Sequence, residues 1–291
     1  MAVQIAFALY PLCLAALALV WVARMRPPSR AVWLVEAAAA ASIAAFAFLA
    51  GPWAFTSYYL RYAVPVLFVL AAVYSWARLK PSRRRRLALS IVVVVVFAVL
   101  NTGAWMSHFA PAEAFNVPFP LAAGEYYVLQ GGNSAVTNPF HAASGSALAL
   151  DIVRLNAVGN RATGVAPRAL ADYKIFGDTV YSPCEGTILA RQDGLPDRRP
   201  GEARLSEGSG NHVIVKCGDV EILLAHLRRA SVLVSAGDAV GVGQAIGKVG
   251  NSGYSMEPHL HIGAKRGGRE AGLLFDNRQL SVNSIVIGIG R

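Results

Sequence analysis

The chain has 291 residues, a hydrophobic fraction of 55% and a formal net charge of +10, and its length suits one large domain or two smaller ones. The charge is unevenly distributed: residues 1–110 hold ten of the 27 basic side chains against one acid, Glu36, whereas the rest of the chain has 17 basic and 16 acidic side chains. The C-terminal part is therefore nearly neutral, which argues against a nucleic-acid-binding protein, because such proteins need a basic surface.

Four apolar runs occupy residues 3–22, 31–55, 58–76 and 87–105. Each is close to the ~20 residues that a helix needs to cross a bilayer. The first run lacks the basic segment and the small-residue cleavage site of a signal peptide, which favours a retained helix over a removed one. The sequence therefore predicts a region of four transmembrane helices over residues 1–110, with the lipid bilayer as its surroundings.

Basic side chains are concentrated in two of the three loops that join these runs. The first loop holds Arg24, Arg26 and Arg30, the third holds Arg78, Lys80, Arg83, Arg84, Arg85 and Arg86, and the second holds only Arg61. Short loops rich in lysine and arginine stay in the cytoplasm. We therefore expect the N-terminus and everything after Trp105 to lie outside the cytoplasm. For the arginines at residues 83–86 this topological role is favoured, and a specific lipid site is the less favoured alternative.

After a predicted linker at residues 111–117, the pattern changes to short segments rich in β-branched residues and separated by Gly, Asn, Asp and Pro. Strands are predicted at residues 126–130, 147–154, 179–181, 186–190, 211–216, 220–226, 231–234, 245–249 and 259–265. No strong amphipathic helix is predicted, and residues 156–173 and 191–210 are expected to be long loops. Residues 118–291 should therefore form a mostly antiparallel β domain whose loops wall a cleft.

Two of the three cysteines, Cys184 and Cys217, lie in this predicted β domain, whereas Cys13 lies in the first apolar run. An even pair in an oxidising compartment is a candidate disulfide. The alternative is two buried free thiols, because the geometry of a bridge cannot be deduced from sequence. We predict the Cys184–Cys217 disulfide.

His259 and His261 lie two residues apart on an extended segment, so their side chains point to the same face. This arrangement suits one metal site that uses both imidazoles, or a site in which one is a ligand and the other a catalytic group. Catalytic zinc sites have three protein ligands and keep a fourth position open. The soluble part offers His141, Asp151, His212 and His226 as further candidates.

Five segments in a fixed order carry a resemblance to a known family: residues 211–215 (NHVIV), 224–227 (LAHL), 234–240 (VSAGDAV), 243–253 (GQAIGKVGNSG) and 258–261 (PHLH). Together they resemble the lysostaphin/LytM-type zinc endopeptidases, which cut peptide cross-bridges of peptidoglycan. The similarity covers residues 181–265, and extends more weakly back to residue 131. It implies a fold like the duplicated hybrid motif and one Zn²⁺ per chain.

The resemblance also implies a role for each site residue. His141, Asp151 and His261 match the family's zinc ligands, and His226 and His259 match its catalytic histidines. One departure is clear: the family motif has three residues between its first histidine and its aspartate, whereas nine separate His141 and Asp151 here. His212 is interpreted as a structural strand residue.

The resemblance thus implies a membrane-anchored zinc metallopeptidase on the extracytoplasmic face, which hydrolyses peptide bonds in peptidoglycan cross-links or stem peptides. A non-catalytic cell-wall-binding or regulatory module on the same fold is the alternative, because a fold does not ensure a function. A lipoyl- or biotinyl-like carrier is disfavoured, because it needs an exposed hairpin lysine and Lys248 lies within an apolar strand pattern.

Overall fold

The computed structural model describes residues 2–78 and 87–288, and within them four long helices form as predicted. These helices are α1 (Ala2–Arg24), α2 (Arg30–Ala50), α3 (Ala63–Trp76) and α4 (Ala88–Met106), with 3₁₀ segments at Trp53–Phe55 and Tyr58–Tyr62 between α2 and α3. Each helix, α3 taken together with the 3₁₀ segment before it, is long and apolar enough to cross a membrane. Lys80 and the four arginines at residues 83–86, which carry part of the topology prediction, lie outside the described residues.

Small side chains bring α1 and α2 close together. Ala18 of α1 and Ala40 and Ala47 of α2 are fully buried, and small residues let helix backbones approach closely where no water competes. α3 and α4 instead turn long apolar side chains outward, and Val73 and Leu89 are 65% and 69% exposed. Contiguous exposed apolar surface is rare on soluble proteins, so this surface suits contact with lipid.

The chain after α4 is mostly β-strand. In chain order the strands are β1 (Phe115–Val117), β2 (Gly124–Gln130), β3 (Leu150–Arg154), β4 (Thr179–Tyr181), β5 (Gly186–Gln192), β6 (Asn211–Cys217), β7 (Val220–Leu227), β8 (Ala239–Val240), β9 (Ala245–Lys248), β10 (Leu260–Arg266), β11 (Arg269–Ala271), β12 (Leu273–Phe275), β13 (Arg278–Gln279) and β14 (Ile285–Gly288). The main sheet runs β14-β2-β3-β10-β7-β6-β5-β8, with β11 beside β10, and its pairings are antiparallel. The predicted fold class, apolar helices followed by a mostly antiparallel β domain, is confirmed.

One predicted strand, at residues 231–234, is wrong. Ser231 folds back on Arg228, whose carbonyl oxygen accepts bonds from the Ser231 amide at 3.2 Å and from its hydroxyl at 2.7 Å. A further backbone bond runs from Leu233 N–H to the Ile246 oxygen at 3.0 Å. The serine side chain therefore stabilises a turn just before this segment, and residues 231–235 are irregular where a strand was predicted.

One short helix, α5 (Pro139–Ser144), was not predicted. It begins with a proline, whose fixed φ suits the first helical position. It ends at Gly145, which has a φ of +77° and a left-handed conformation. Six residues are too few for a helical periodicity to be detected in the sequence, and His141 lies in this helix.

The core lies against one face of the main sheet. Val213 and Val215 of β6, Leu224 of β7 and Leu260 and Ile262 of β10 are fully buried and belong to one apolar cluster. Burying each of these side chains contributes roughly 1.5–3 kcal/mol. Because side chains alternate along a strand, the residues between them face the opposite side of the sheet.

Cys184 and Cys217 form the predicted disulfide, which confirms that prediction. Their Cα atoms lie 5.8 Å apart. The bridge joins the turn before β5 to the last residue of β6, the strand with which β5 pairs. Cys13 remains a free thiol in α1.

The helices contact the β domain at three places along the chain. Hydrogen bonds at these places include Gln4 Nε2 to the Tyr173 hydroxyl (2.7 Å), the Tyr59 hydroxyl to Glu125 Oε2 (2.9 Å), and the Ser107 hydroxyl to the Ser281 hydroxyl (2.6 Å). The start of α1, the segment between α2 and α3, and the end of α4 therefore all lie on the side of the bundle that carries the β domain.

Candidate metal centre

Two neighbouring strands place an aspartate beside a histidine. In the antiparallel pair of β3 and β10, Asp151 lies directly opposite His261. The residues on either side of each, such as Ile152 and Leu260, are fully buried in the core. Alternation along the strands therefore turns both Asp151 and His261 to the outer face of the sheet.

Three more histidines reach the same point from other elements. His141 comes from α5, His226 from the end of β7, and His259 from the residue before β10. Asp151 Oδ1 lies 3.2 Å from His141 Nε2, 3.3 Å from His259 Nε2 and 3.0 Å from His261 Nδ1. The His226 ring lies against that of His259, with centroids 4.8 Å apart. All five residues singled out in the sequence thus form one cluster.

His212 lies elsewhere, on β6. Its Nδ1 is 2.8 Å from the carbonyl oxygen of Gly210. Among the described residues it does not join the groups of side chains whose atoms could hold a metal.

The nine residues between His141 and Asp151 are taken up by local folding. After α5 the chain turns at Gly145, and the Ser146 amide bonds to the His141 carbonyl oxygen at 3.0 Å. A second tight turn joins Ala149 N–H to the Ser146 oxygen at 2.9 Å, and β3 begins at the next residue. The long spacing therefore does not separate the two side chains.

Asn138 fixes the ring of His141. Its amide nitrogen donates to the carbonyl oxygens of Ala147 at 2.8 Å and Ala149 at 2.9 Å, so its Oδ1 must be the acceptor that faces His141 Nδ1 at 2.7 Å. His141 Nδ1 therefore carries the proton, and Nε2 presents a lone pair to the cluster. A polar partner of this kind sets the tautomer of metal-binding histidines. This role of Asn138 was not predicted from the sequence, although the pair Asn138-Pro139 is typical of a turn.

His259 is oriented in the same way by backbone. Its Nδ1 donates to the Glu257 carbonyl oxygen at 2.7 Å, and the Ser255 hydroxyl lies 3.2 Å away. In the neutral ring Nε2 of His259 therefore carries no proton, and this atom points to Asp151.

His226 is held in a strained backbone conformation. Its φ is +60°, a region that costs a non-glycine residue about 1–3 kcal/mol. Three bonds impose it: His226 N–H to the Ser209 oxygen (3.1 Å), Gly250 N–H to the His226 oxygen (3.0 Å), and His226 Nδ1 to the Ser252 oxygen (2.9 Å). A Cβ on Gly250 would lie 2.4 Å from the Arg228 amide nitrogen, so this close approach requires glycine.

Burial and the charge of Asp151 shift the pKa values of the histidines in this cluster in opposite directions. Burial alone would raise the pKa of Asp151, but His259 and His141 outweigh it and hold that pKa well below its usual range. Burial alone would lower the pKa of His141 and of His259, but Asp151 outweighs it and raises both. Burial lowers the pKa of His261 and, more strongly, that of His226. Such opposed shifts within one cluster are typical of functional sites.

Two overlapping groups in this cluster have donor atoms within 4.8 Å of one another: His141, Asp151 and His261, and His226, His259 and His261. The first group combines two imidazoles with one carboxylate, which are ligands that zinc accepts, and three such ligands leave a position open. The carboxylate also supplies the negative charge that stabilises a cation in a buried site. The donor set therefore fits Zn²⁺.

A groove extends from His261 across the outer face of the sheet. Ala149 and Gly263 line it near the cluster, and Glu221 and Lys265 line its charged end. A mostly apolar groove beside a cluster of polar groups is the usual form of a ligand site.

The fold and the geometry thus define a class of site: a carboxylate–imidazole cluster that could hold a metal ion, beside a groove on a mostly antiparallel β domain. Comparison with protein families specifies it further: residues 171–272 match the model of Peptidase family M23. This stretch is an M23 domain, of the lysostaphin/LytM family, and the resemblance seen in the sequence is confirmed. The matched residues include His226, His259 and His261.

Solved structures with similarity to the chain include lysostaphin, at 29% identity over 32% of this chain and 33% of that chain, with a TM-score of 0.24. A putative peptidase M23 from Pseudomonas aeruginosa is 15% identical over 67% of this chain and 62% of that one, with a TM-score of 0.32. A zinc-containing peptidase from Vibrio cholerae is 19% identical over 42% and 48%, with a TM-score of 0.26. The matches thus span less than two thirds of these chains. Comparison with curated proteins finds no match.

Proposed function

We propose that the chain is a membrane-anchored zinc endopeptidase that hydrolyses peptide bonds in peptidoglycan cross-links or stem peptides. The observation that carries this proposal is the convergence of His141, His259 and His261 on one oxygen of Asp151, within 3.3 Å and beside a groove. M23 peptidases are zinc-dependent enzymes that act on peptidoglycan, and the site holds the residue types that such chemistry needs.

His141, Asp151 and His261 would hold the metal. His141 presents Nε2 because Asn138 takes its Nδ1 proton, and His261 presents Nδ1 toward Asp151. A bound Zn²⁺ supplies Lewis acidity to the scissile carbonyl and lowers the pKa of water toward about 7.

His226 and His259 would act as proton-transfer groups. Both donate Nδ1–H to backbone carbonyl oxygens, at Ser252 and at Glu257, so the Nε2 atoms are free to accept a proton. Asp151 raises the pKa of His259, which suits a group that takes a proton and returns it to the leaving amine. Burial lowers the pKa of His226, which keeps this ring a neutral hydrogen-bond acceptor.

We further propose that the four helices cross the membrane and place the β domain on its outer face, against the cell wall. Three observations support this: the basic residues before α2, the disulfide, and the contacts that place the start of α1 and the end of α4 on the domain's side. Disulfides persist in oxidising compartments. Peptidoglycan peptide is then the substrate and lipid the surroundings of the helices.

The test is digestion of purified peptidoglycan fragments by the full chain in detergent micelles, with products identified by mass. We expect hydrolysis that a chelator abolishes and added Zn²⁺ restores, and the His212→Ala variant should behave like the wild type. Bound zinc and peptidoglycan binding without any cleaved product would contradict the enzyme proposal and favour the non-catalytic module.

A further inference from the structure

Glu257 lies two residues before His259, in the loop between β9 and β10, and is 4% exposed. Its carbonyl oxygen accepts the His259 Nδ1 proton at 2.7 Å and the Ser255 hydroxyl at 2.9 Å. The position of this one peptide group therefore sets the direction in which the His259 ring points into the site.

The side chain of Glu257 is held by a buried ion pair. Arg161, which is fully buried, donates from Nε to Oε1 at 2.5 Å and from Nη2 to Oε2 at 2.8 Å. The guanidinium carbon lies 3.6 Å from the ring centroid of Phe55, in the segment that joins α2 to α3. The Arg161 amide also donates to the Ala54 carbonyl oxygen at 3.1 Å. A two-point pair of this kind fixes geometry as well as charge.

The first membrane helix completes this arrangement. Gln4, in the first turn of α1, is 2% exposed, and its Nε2 donates to Glu257 Oε2 at 2.8 Å and to the Tyr173 hydroxyl at 2.7 Å. A short chain of contacts thus links the start of α1 to the Glu257 carboxylate, and the Glu257 carbonyl oxygen to the His259 ring.

We propose that Gln4, Arg161 and Glu257 are positioning residues through which the membrane region holds His259 in its catalytic orientation. The inference rests on the proposed peptidase function. The buried carboxylate has a fixed place only when its donors are present, since an unpaired buried charge is unstable. A catalytic group displaced by about 1 Å can lose on the order of 10²-fold in rate. The helices therefore contribute to the site as well as anchoring it.

The kinetic test uses the full chain in detergent micelles, loaded with zinc, and a peptidoglycan fragment as substrate. Gln4→Leu keeps the apolar character of α1 and removes both hydrogen bonds, and it should lower kcat about tenfold while KM and zinc content stay unchanged. The matched control is Tyr59→Phe, which removes the bond to Glu125 between the helices and the β domain without touching Glu257. This control should keep kcat within about twofold of the wild type, as expected when no catalytic group moves.

A double variant tests the direction of the link. If Gln4 acts through Glu257, the pair Gln4→Leu and Glu257→Gln should be no slower than Glu257→Gln alone, because coupled residues do not act additively. Additive losses, or a wild-type kcat in Gln4→Leu, would overturn the proposal.

A second readout does not depend on activity. With ¹⁵N-labelled histidines in the metal-free full chain, the His259 Nδ1 proton should be protected from exchange in the wild type and in Tyr59→Phe. In Gln4→Leu the resonance of this proton should shift, and the proton should exchange faster with water. An unchanged resonance would overturn the link. If the wild type cleaves no substrate but this resonance responds, the proposed function fails while the link stands. If the wild type is active and Gln4→Leu matches it, the link fails alone.

Discussion

Asp151 is the residue on which the cluster depends. One of its oxygens contacts three imidazole nitrogens, and its charge raises the pKa of two of those rings against the effect of burial. The residue lies in a strand with buried neighbours on both sides, so its direction is fixed by the sheet. The prediction of Asp151 as a ligand came from the resemblance to the family, and its place within a predicted strand agreed with that role.

Asn138 should matter almost as much as a ligand. Asn138→Ala removes the acceptor that keeps the proton on His141 Nδ1, so the ring can rotate or change tautomer. We expect a loss of about 10–100-fold in zinc affinity, the usual effect of removing such a partner. Zinc titration against a competing chelator measures it, with His212→Ala as the control. Wild-type affinity in Asn138→Ala would show that the amide does not orient the ligand.

As the pH falls, His141 should be the first histidine ligand to be protonated and so to lose the metal. A protonated imidazole cannot bind zinc, and Asp151 raises the pKa of His141 above the ordinary imidazole value of about 6.5. Burial lowers the pKa of His261, so that ligand protonates at a lower pH. Zinc affinity and rate should therefore be highest above the His141 pKa and fall as the pH drops through it.

Chelator competition at a series of pH values between about 5 and 8, where free imidazole titrates, follows this loss. His212→Ala should show the same profile as the wild type. An affinity that stays flat over this range would contradict ligation by His141.

At the scale of elements, the disulfide closes the open end of the β5–β6 pair. Cys184→Ser should lower the free energy of unfolding of the β domain by about 3–4 kcal/mol. This is the contribution expected from the loop-closure entropy of a bridge between residues 33 apart in sequence. Denaturant unfolding measures this, and Cys13→Ser is the control because that thiol is free. Intact mass that does not change on reduction of the native protein would contradict the bridge.

The strands around the site were predictable because their alternation is strong. β6, β7 and β10 have buried residues at every second position, and the two histidines of the His259–His261 pair flank the buried Leu260. Apolar runs of about 20 residues likewise identified the four helices.

Elements that lack periodicity were missed. α5 is a single six-residue helix defined by Pro139 and Gly145, and β11 to β14 have two to four residues each. The strand predicted at residues 231–234 failed because Ser231 bonds to its own turn. Long-range contacts, such as those of Asn138 and Glu257, depend on the folded chain and have no local signal.

At the scale of the molecule, the helices and the β domain meet over a polar and aromatic surface. The side-chain amide of Asn283 donates to the Leu49 carbonyl oxygen at 2.9 Å, and the backbone N–H of Tyr58 donates to the Gly159 carbonyl oxygen at 2.8 Å. The ring of Phe7 in α1 lies edge-on to Phe140, the residue before His141, with centroids 5.9 Å apart. The helical region therefore packs directly against the elements that carry the site.

The topology can be tested by cysteine labelling in a Cys13→Ser background. A cysteine at Ala112, which is exposed after α4, should react with a membrane-impermeant reagent added to intact cells. A cysteine at Ser29, which is exposed between α1 and α2, should react only after the membrane is opened. The reverse pattern would place the β domain in the cytoplasm and contradict a cell-wall substrate.

The most direct test of the whole account is zinc content measured beside turnover in two variants of the histidine pair. His261→Ala removes a proposed ligand, so both zinc content and peptidoglycan hydrolysis should be lost, as they should in Asp151→Ala and His141→Ala. His259→Ala should keep its zinc, and His226→Ala likewise, yet each should lose roughly 10²-fold or more in kcat. Zinc lost from His259→Ala but retained by His261→Ala would reverse the assignment, and unchanged turnover in every variant would contradict the peptidase itself.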